Sequence, residues 1–322
     1  MENNIDSKAL MKPRNAGECI KDGILLLAGN FKSVFKASWL AAAAYSLISS
    51  ALGTLCVMHM PRITAGMMGG IPEAPTELYA TMWTIILLIV TGGIAELLFY
   101  SCGVSLLRFH KEKAEISKAG KWLSFDLKAA WRTLKIQIPC CLVVIAGIAA
   151  VTLACPRLAA MIGGNPASAA TAAVILCGYV AVCLLMMPMT IGAMRYMLED
   201  GVRLTDAVRY GYGKGIARIP LITGVVFVSL CLIALSGALL SLPAQTLVTA
   251  NWMAYLGTVN GDPLGMPGYM TVLTATTFAI TGFIQAYVRM PLVFTTYYLY
   301  GSIECRTQAK EKDETTQKES NK

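Results

Sequence analysis

Residues 184–197 read LLMMPMTIGAMRYM, and this segment is typical of the end of a membrane helix, because an apolar body is followed by an arginine near the last turn. Two further segments resemble it. Residues 97–109 read LLFYSCGVSLLRF, and residues 286–299 read AYVRMPLVFTTYYL. Three related segments of this kind indicate that one structural unit occurs three times along the chain.

The alignment of these segments rests on an arginine and on a Met-Pro pair. A shift of 87 residues places Arg108 on Arg195, and a shift of 103 residues places Pro188 on Pro291. Each proline removes one backbone donor, so we expect both prolines to kink their helices and to free a carbonyl one turn earlier. In a membrane, such carbonyls are tolerated where they are buried or face a cavity.

The composition is that of an integral membrane protein. Of the 322 residues, 56% are hydrophobic and only 14% are charged, whereas soluble domains carry about 25% charged residues. The first 18 residues are polar, so we expect no cleavable signal peptide. Six apolar stretches are long enough to cross about 30 Å of hydrocarbon: residues 39–60, 78–109, 136–161, 169–197, 219–242 and 269–300.

An amphipathic or polar segment precedes each pair of spans. Residues 18–38 carry apolar side chains at helical spacing, and residues 108–135 form the most basic part of the chain, so both predict helices that lie in the membrane interface. Residues 199–218 are rich in glycine, and their GYGKG sequence reads as a flexible surface turn. One acid near the start of each segment is expected to cap a helix N-terminus: Asp22, Asp126 and Asp206.

We therefore predict an all-α integral membrane fold, a six-helix bundle of three repeated units that each combine an amphipathic surface helix with a transmembrane hairpin. A polar N-terminal segment precedes this membrane domain. A charged tail follows it and is expected to be disordered, because it cannot bury a core. The three bounds are 1–17, 18–302 and 303–322, and the repeats cover about 18–110, 111–198 and 199–302.

The distribution of basic residues predicts the orientation. The chain has a net charge of +8, and 24 of its 27 lysines and arginines lie in the segments on one side of the predicted spans. The positive-inside rule then places both termini in the cytoplasm of a multi-pass protein of the inner (plasma) membrane. These basic segments are expected to attract anionic lipid headgroups. Nucleic-acid binding is excluded as a function, because no basic soluble domain with interleaved aromatic residues exists to carry it.

Two charged residues lie well inside predicted spans. Glu96 and Arg289 come within about one helical turn of the same depth when the repeats are aligned, and an uncompensated charge at that depth costs at least about 2.5–3.5 kcal/mol. We therefore expect them to face each other, together with Gln285, which lies one turn from Arg289. The pair is either a structural lock between two spans or a site for a substrate, a lipid headgroup or a proton.

The sulfur-containing residues suggest a second type of site. Cys56, Met58, His59 and Met60 end the first span, and the pair Met67-Met68 follows, which is a ligand set that suits Cu(I). The competing interpretation is that methionine and cysteine are apolar packing residues, and most of the ten cysteines lie in apolar stretches without metal or disulfide spacing. This second interpretation is favoured, and the sequence predicts no cofactor.

The order of elements, the six spans and the Met-Pro pairs in the late halves of two spans resemble a known membrane domain. It occurs fused to some bacterial glycerophosphodiester phosphodiesterases and also in stand-alone six-helix bacterial membrane proteins. The resemblance covers about residues 18–300 and implies the fold alone, since it brings no catalytic signature. The phosphodiesterase itself would require a separate soluble barrel domain, for which this chain has no room.

The chain also lacks a nucleophile–base arrangement, paired carboxylates and a phosphate-binding glycine loop, so we expect it not to be an enzyme. The expected function is the handling of a lipid or a small solute, as a transporter-like or envelope-maintenance component. The alternative is a structural or regulatory scaffold that recruits partners through its basic cytoplasmic helices.

Overall fold

A computed structural model describes residues 10–67, 75–113, 126–161, 169–261 and 267–320, and throughout these ranges the regular structure is helical. Residues 114–125 of the second predicted surface helix lie outside them, while its two ends continue α3 and α4. The α-helices of the described residues are α1 (Ala16–Gly29), α2 (Phe31–Met67), α3 (Pro75–Lys113), α4 (Leu127–Met161), α5 (Ala169–Met186), α6 (Met189–Leu198), α7 (Leu204–Gly215), α8 (Ile219–Val259) and α9 (Tyr269–Ser320).

Among the described residues, six helical segments are long and apolar enough to cross a membrane. The predicted all-helical fold with six membrane-spanning segments is confirmed at this level. The protein is therefore compatible with the multi-pass membrane class, in which backbone polar groups satisfy one another within each helix.

Several helices are longer than the sequence predicts. Residues 31–38 belong to α2 and not to the surface helix, which ends at Gly29. The spans predicted to end at residues 60 and 242 continue beyond these positions, because Pro61 lies inside α2 and Pro243 lies inside α8. The disorder predicted for 303–322 is wrong for residues 303–320, which continue α9. These residues are mostly good helix formers, and extending an existing helix requires no new nucleation.

The packing of the spans is uneven. Helices α2, α3, α8 and α9 pack closely together, and α4 lies along α3. In the described chain, α5 packs on α4 and makes no more than isolated contacts with any other helix. The large, fully buried side chains lie mainly on the C-terminal half of α3, on the middle of α9 and on α6. They include Phe99, Leu106, Ile191, Met290, Phe294, Tyr297 and Tyr300.

The core is thus concentrated towards one end of the bundle, which we call the charged end. It is defined by Arg108, Lys111, Arg132 and Glu199. Arg108 Nη1 lies 3.0 Å from Asp126 Oδ2, and Lys111 Nζ lies 3.0 Å from Glu199 Oε1. These ion pairs connect α3 to the residues around the start of α4 and the end of α6.

Arg132 on α4 holds the C-terminal end of α6. Its guanidinium donates hydrogen bonds of 2.6–2.9 Å to four backbone carbonyls that no longer have partners within the helix: those of Tyr196, Glu199, Asp200 and Val202. The same guanidinium lies over the Tyr196 ring at 4.3 Å. One side chain therefore fixes the position of a helix end and the chain that follows it.

Glycines allow α6 and α7 to cross at backbone contact. A Cβ atom on Gly192 would overlap the carbonyl oxygen of Ala207, and one on Gly215 would lie 2.9 Å from Pro188 Cβ. The prediction of a flexible turn at the GYGKG sequence is therefore wrong, because these residues form the close-packed face of a helix. Helix α1 crosses α9 in the same way, since a Cβ atom on Gly23 would lie 2.8 Å from Thr295 Cα.

The three aspartates differ in their roles. Asp126 caps α4 as predicted, because its Oδ1 accepts the backbone N–H of Lys128 at 2.9 Å. Asp206 lies in the first turn of α7. Asp22 lies in the middle of α1, where it pairs with Arg14 Nε at 2.8 Å, so the cap prediction is wrong there. Arg14 is only 5% exposed, and its guanidinium lies over the Tyr298 ring at 4.5 Å.

Candidate intramembrane polar site

The candidate site lies where α2, α3 and α9 meet, far from the charged end. Glu96 is near the middle of α3, twelve residues before Arg108, which corresponds to about 18 Å along the helix axis. Arg289 lies on α9 and Tyr45 on α2, within segments that are apolar enough to span a membrane. These are ionisable side chains in the part of the chain where charge is most costly.

The structure brings Glu96 and Arg289 into direct contact, so their predicted pairing is confirmed. Arg289 Nη1 donates to Glu96 Oε1 at 2.8 Å and to the hydroxyl of Tyr45 at 3.1 Å. The hydroxyl of Tyr100 donates to the same Glu96 oxygen at 3.2 Å. The four side chains form one hydrogen-bonded cluster that connects three helices.

This cluster uses only one atom of each charged group. Within the described chain, Glu96 Oε2 and the Nε and Nη2 groups of Arg289 have no hydrogen-bond partner. The two side chains are 31% and 36% exposed. A pair that serves only as a lock is strongest when it is bidentate, whereas this one leaves an acceptor and several donors accessible.

Gln285 does not join the cluster, although the sequence places it one turn from Arg289. Its Nε2 group points to α8 and lies 3.4 Å from the carbonyl oxygen of Gly237. The two tyrosines were missed by the sequence analysis. Tyr100 could have been found from its position four residues after Glu96, where helical side chains meet, but no sequence signal connects Tyr45 to the pair.

The broken span lies beside this site. Helix α5 ends at Met186 and α6 begins at Met189, so Pro188 interrupts the helix as predicted. The carbonyl oxygen of Leu185, next to the break, accepts the hydroxyl of Tyr212 at 3.2 Å. Helix α6 packs on α3 and α9, but beyond the break α5 does not. The bundle is therefore open laterally on the α5 side.

The predicted repeat alignment relates the break to the charged pair by sequence position alone. The positions that correspond to Glu96 and Arg289 in the broken span are Cys183 and Met186, just before the break. Among the described residues, helix α5 packs on α4 and not on α3 or α9, and the side chains of Glu96 and Arg289 are each about a third exposed.

At the sulfur-rich end of α2, only some of the residues considered as Cu(I) ligands line one cavity. Met58 and His59 line a cavity of about 310 Å³ together with Asn251 and Tyr255, whereas Cys56 does not. The side chains of Met60 and Met67 and the whole of Met68 lie outside the described part of the chain. In the residues that are described, no three histidines, cysteines or acidic residues come together as a metal site.

The charged end contains a carboxylate with a shifted pKa. Burial raises the pKa of Glu199, but hydrogen bonds from Lys111, Tyr300 and Arg195, together with the charge of Lys111, lower it by more, so the net pKa lies below the usual value. Glu199 accepts from Tyr300 at 2.9 Å and from Arg195 Nε at 3.2 Å. This ionised carboxylate joins α3, α6 and α9.

Comparison of the chain with protein-family models, with characterised proteins and with solved structures found no match. The fold and the site define the class, an all-helical protein compatible with multiple membrane crossings. The resemblance to the membrane domain of certain phosphodiesterases stays a prediction, and the function is inferred from the geometry of the site.

Proposed function

We propose that this protein is a non-enzymatic, multi-pass membrane protein that binds a polar ligand, either a lipid headgroup or a small solute, at the Glu96–Arg289 cluster. The observation that carries the proposal is the incomplete pairing of the two charged groups in the middle of apolar spans. Burying unsatisfied hydrogen-bonding groups is costly, and a ligand that satisfies them removes this cost.

The chemistry of the free atoms indicates the ligand class. The unused Nε and Nη2 groups of Arg289 suit a phosphate or a carboxylate, which Arg binds in a bidentate manner. The unused oxygen of Glu96 suits an ammonium or a hydroxyl group. Because the pair is neutral overall, a zwitterionic headgroup or solute adds no net charge to the membrane interior, and we expect it to be preferred.

The lateral opening beside α5 provides the route. A lipid headgroup can enter from the bilayer between α5 and the α3–α9 pair without crossing the packed core. This supports a transporter-like or envelope-maintenance role, in which the site holds a headgroup or solute away from both membrane surfaces.

The orientation is part of the proposal. The positive-inside rule places the charged end, with Arg108, Lys111 and Arg132, on the cytoplasmic side of the inner membrane, together with both termini. The cluster then lies about 18 Å from that end along α3, which is near the middle of a hydrocarbon core of about 30 Å.

The three-fold repeat is also a proposal, and matched contacts support it. The repeat alignment places Gly192 of the fourth span on Thr295 of the sixth span. At each of these two positions the span touches a surface helix. Gly192 meets Ala207 and Thr295 meets Gly23, and each of these partners directly follows an aspartate. In the remaining unit Asp126 is followed by Leu127, which is 73% exposed, so the matched crossing supports the repeat in two of the three units.

Native mass spectrometry of the purified full-length protein tests the ligand proposal. We expect the wild type to retain a polar lipid or solute, whose mass identifies which of the two it is. The double variant Glu96→Gln/Arg289→Gln should retain at least tenfold less, since it removes both charges but keeps side-chain volume. Gln285→Ala is the matched control, one turn away on α9, and should retain the wild-type amount. Equal retention by the wild type and the double variant would refute the proposal.

The scaffold alternative is favoured by one observation, the length of α9. Its 52 residues extend about 78 Å, far more than a bilayer requires. Contacts between Lys214 and Glu311 (2.7 Å) and between Tyr210 and Glu304 brace the extension against α7. If deleting residues 307–322 abolished the cellular role while ligand retention stayed intact, the scaffold function would be the better description.

A further inference from the structure

A second cavity lies where the broken span meets α4, on the hairpin that diverges from the bundle. Its volume is about 380 Å³. Its walls include Cys140 and Cys141 of α4, Met186 at the end of α5 and Met189 at the start of α6. Gln137 is the polar residue towards the charged end, and most of the remaining wall is aliphatic.

The sulfur content of this cavity is well above that of the chain. Four of the nine lining residues carry sulfur, whereas 27 of the 322 residues in the sequence are cysteine or methionine. Adjacent residues of an α-helix point about 100° apart, so two neighbouring cysteines that line one cavity flank it. The two methionines reach the cavity from opposite sides of the Pro188 break. The four sulfur-containing residues thus come from three helices and line one cavity.

We propose that this cavity binds one Cu(I) ion. Thiolate ligands bind both Cu(I) and zinc, but thioethers are ligands of soft cations such as Cu(I) and are not among the usual zinc ligands, while hard divalent cations prefer oxygen ligands. No histidine or carboxylate lines this cavity. The two cysteines are free thiols in the structure, so they are available as ligands. This site is independent of the Glu96–Arg289 cluster and of the function proposed for it.

The charge balance limits the ligand set. Binding breaks the S–H bond of one cysteine, forms a sulfur–copper bond and releases the proton to water, with no change in oxidation state. One thiolate and one or two thioethers give a neutral complex with Cu(I). A second thiolate would leave a net negative charge among apolar side chains, which is costly. We therefore assign one of the two cysteines as thiolate and the methionines as neutral ligands.

The ion would connect the two sides of the helix break. Met186 and Met189 belong to different helices, and α4 provides the thiolate. A bound ion therefore adds a second connection across the turn between α5 and α6, where Met187 and Thr190 make backbone hydrogen bonds to the carbonyls three residues earlier.

The test uses the reduced full-length protein in detergent, loaded anaerobically with Cu(I) and then washed with a Cu(I)-selective chelator. We expect about one retained copper per chain, in a sulfur-only environment by X-ray absorption. Cys140→Ser/Cys141→Ser and, separately, Met186→Leu/Met189→Leu should each lower retention at least tenfold. The methionine variant conserves volume and is expected to fold, which its unfolding midpoint without copper checks.

The matched controls remove the same side chains elsewhere in the spans. Cys155→Ser/Cys231→Ser and Met58→Leu/Met253→Leu should retain copper at the wild-type level, and the second also tests the sulfur-rich end of α2. Absence of chelator-resistant copper in the wild type, or wild-type retention by both cavity variants, would overturn the proposal.

Discussion

Two Met-Pro pairs occupy matched positions in this chain, and they have different structural outcomes. At Pro188 the span separates into α5 and α6, whereas α9 continues through Pro291 as an uninterrupted helix. The backbone effect of proline is the same in both, since each removes one N–H donor. The difference must come from the surroundings of the two helices.

Helix α9 is packed on several sides, above and below its proline, by α1, α2, α3 and α8. Helix α5 rests on α4 alone, apart from isolated contacts within the described chain, whereas α6 is held by α7 and by Arg132. A proline therefore weakens a helix at one point, and the neighbouring helices determine whether it separates there. The polar cluster lies on the packed α9, and the copper cavity lies at the break.

The largest expected effect on the free energy of unfolding comes from disrupting the crossing of α6 and α7. Gly192→Val should destabilise the protein by about 3 kcal/mol, because the new side chain forces α6 and α7 apart at a backbone contact. Gly213→Ala on the same helix pair is the control, because a Cβ atom there meets nothing within 4 Å, and it should gain about 0.5–1 kcal/mol. Chemical unfolding in mixed micelles measures both. Equal effects would show that the crossing does not hold α6.

The next effect concerns the charged pair on the packed side. Glu96→Arg and Arg289→Glu should each destabilise the protein by about 2 kcal/mol, which is less than for a fully buried pair because both groups are about a third exposed. Each single variant places two like charges side by side. The double swap should recover most of the loss, as measured by the folded fraction after purification. A double variant no more stable than either single one would contradict the pairing.

The two prolines themselves give an intermediate effect. Pro291→Ala should stabilise α9 by about 1 kcal/mol, because alanine restores the donor that an already continuous helix lacks. Pro188→Ala should instead straighten the span and move α5. Spin labels at Val174 on α5 and Ile280 on α9, both 59% exposed, would report a changed distance in Pro188→Ala and an unchanged one in Pro291→Ala. The opposite pattern would mean that packing does not control the break.

The smallest effect is the pH dependence of the hydrogen bond between Glu199 and Tyr300, which connects the end of α6 to α9. The folded pKa of Glu199 is lowered, so its stabilising contribution is complete above its unfolded pKa of about 4.3 and is lost as the pH falls through the lower folded pKa. Glu199→Gln should therefore cost about 1 kcal/mol at pH 7. The difference between wild type and variant should shrink below about pH 4.3. A difference that stays constant down to pH 3 would exclude this linkage.

Much of the fold follows from the sequence because apolar length and charge are local signals. The six spans, the break at Pro188, the Asp126 cap and the contact between Glu96 and Arg289 were all predicted. The helix ends were not predicted correctly. The spans were expected to end before Pro61 and Pro243, but apolar residues on both sides of each proline continue the helix. The glycines of α7 were read as flexible because their partner, Gly192, lies on another helix.

The site was predicted less completely than the fold. A charge within a span is visible in the sequence, but its neighbours on other helices are not. Tyr45 joins the cluster only because α2 packs between α3 and α9, and Gln285 leaves it because its side of α9 faces α8. The separation of α5 from α3 and α9 depends on the absence of packing and has no local signal in the sequence.

The contacts between Arg14 and the end of the last span have a consequence for biosynthesis. Its backbone N–H donates to the hydroxyl of Ser302 at 2.9 Å, and its carbonyl accepts from Arg306 at 2.7 Å. These contacts join residues almost 300 positions apart, so the segment that leaves the ribosome early is anchored only after the last span has emerged. Cys19 and Ile20, which are buried in the folded protein, therefore stay uncovered until the last span is made, and the closure of so long a loop is slow.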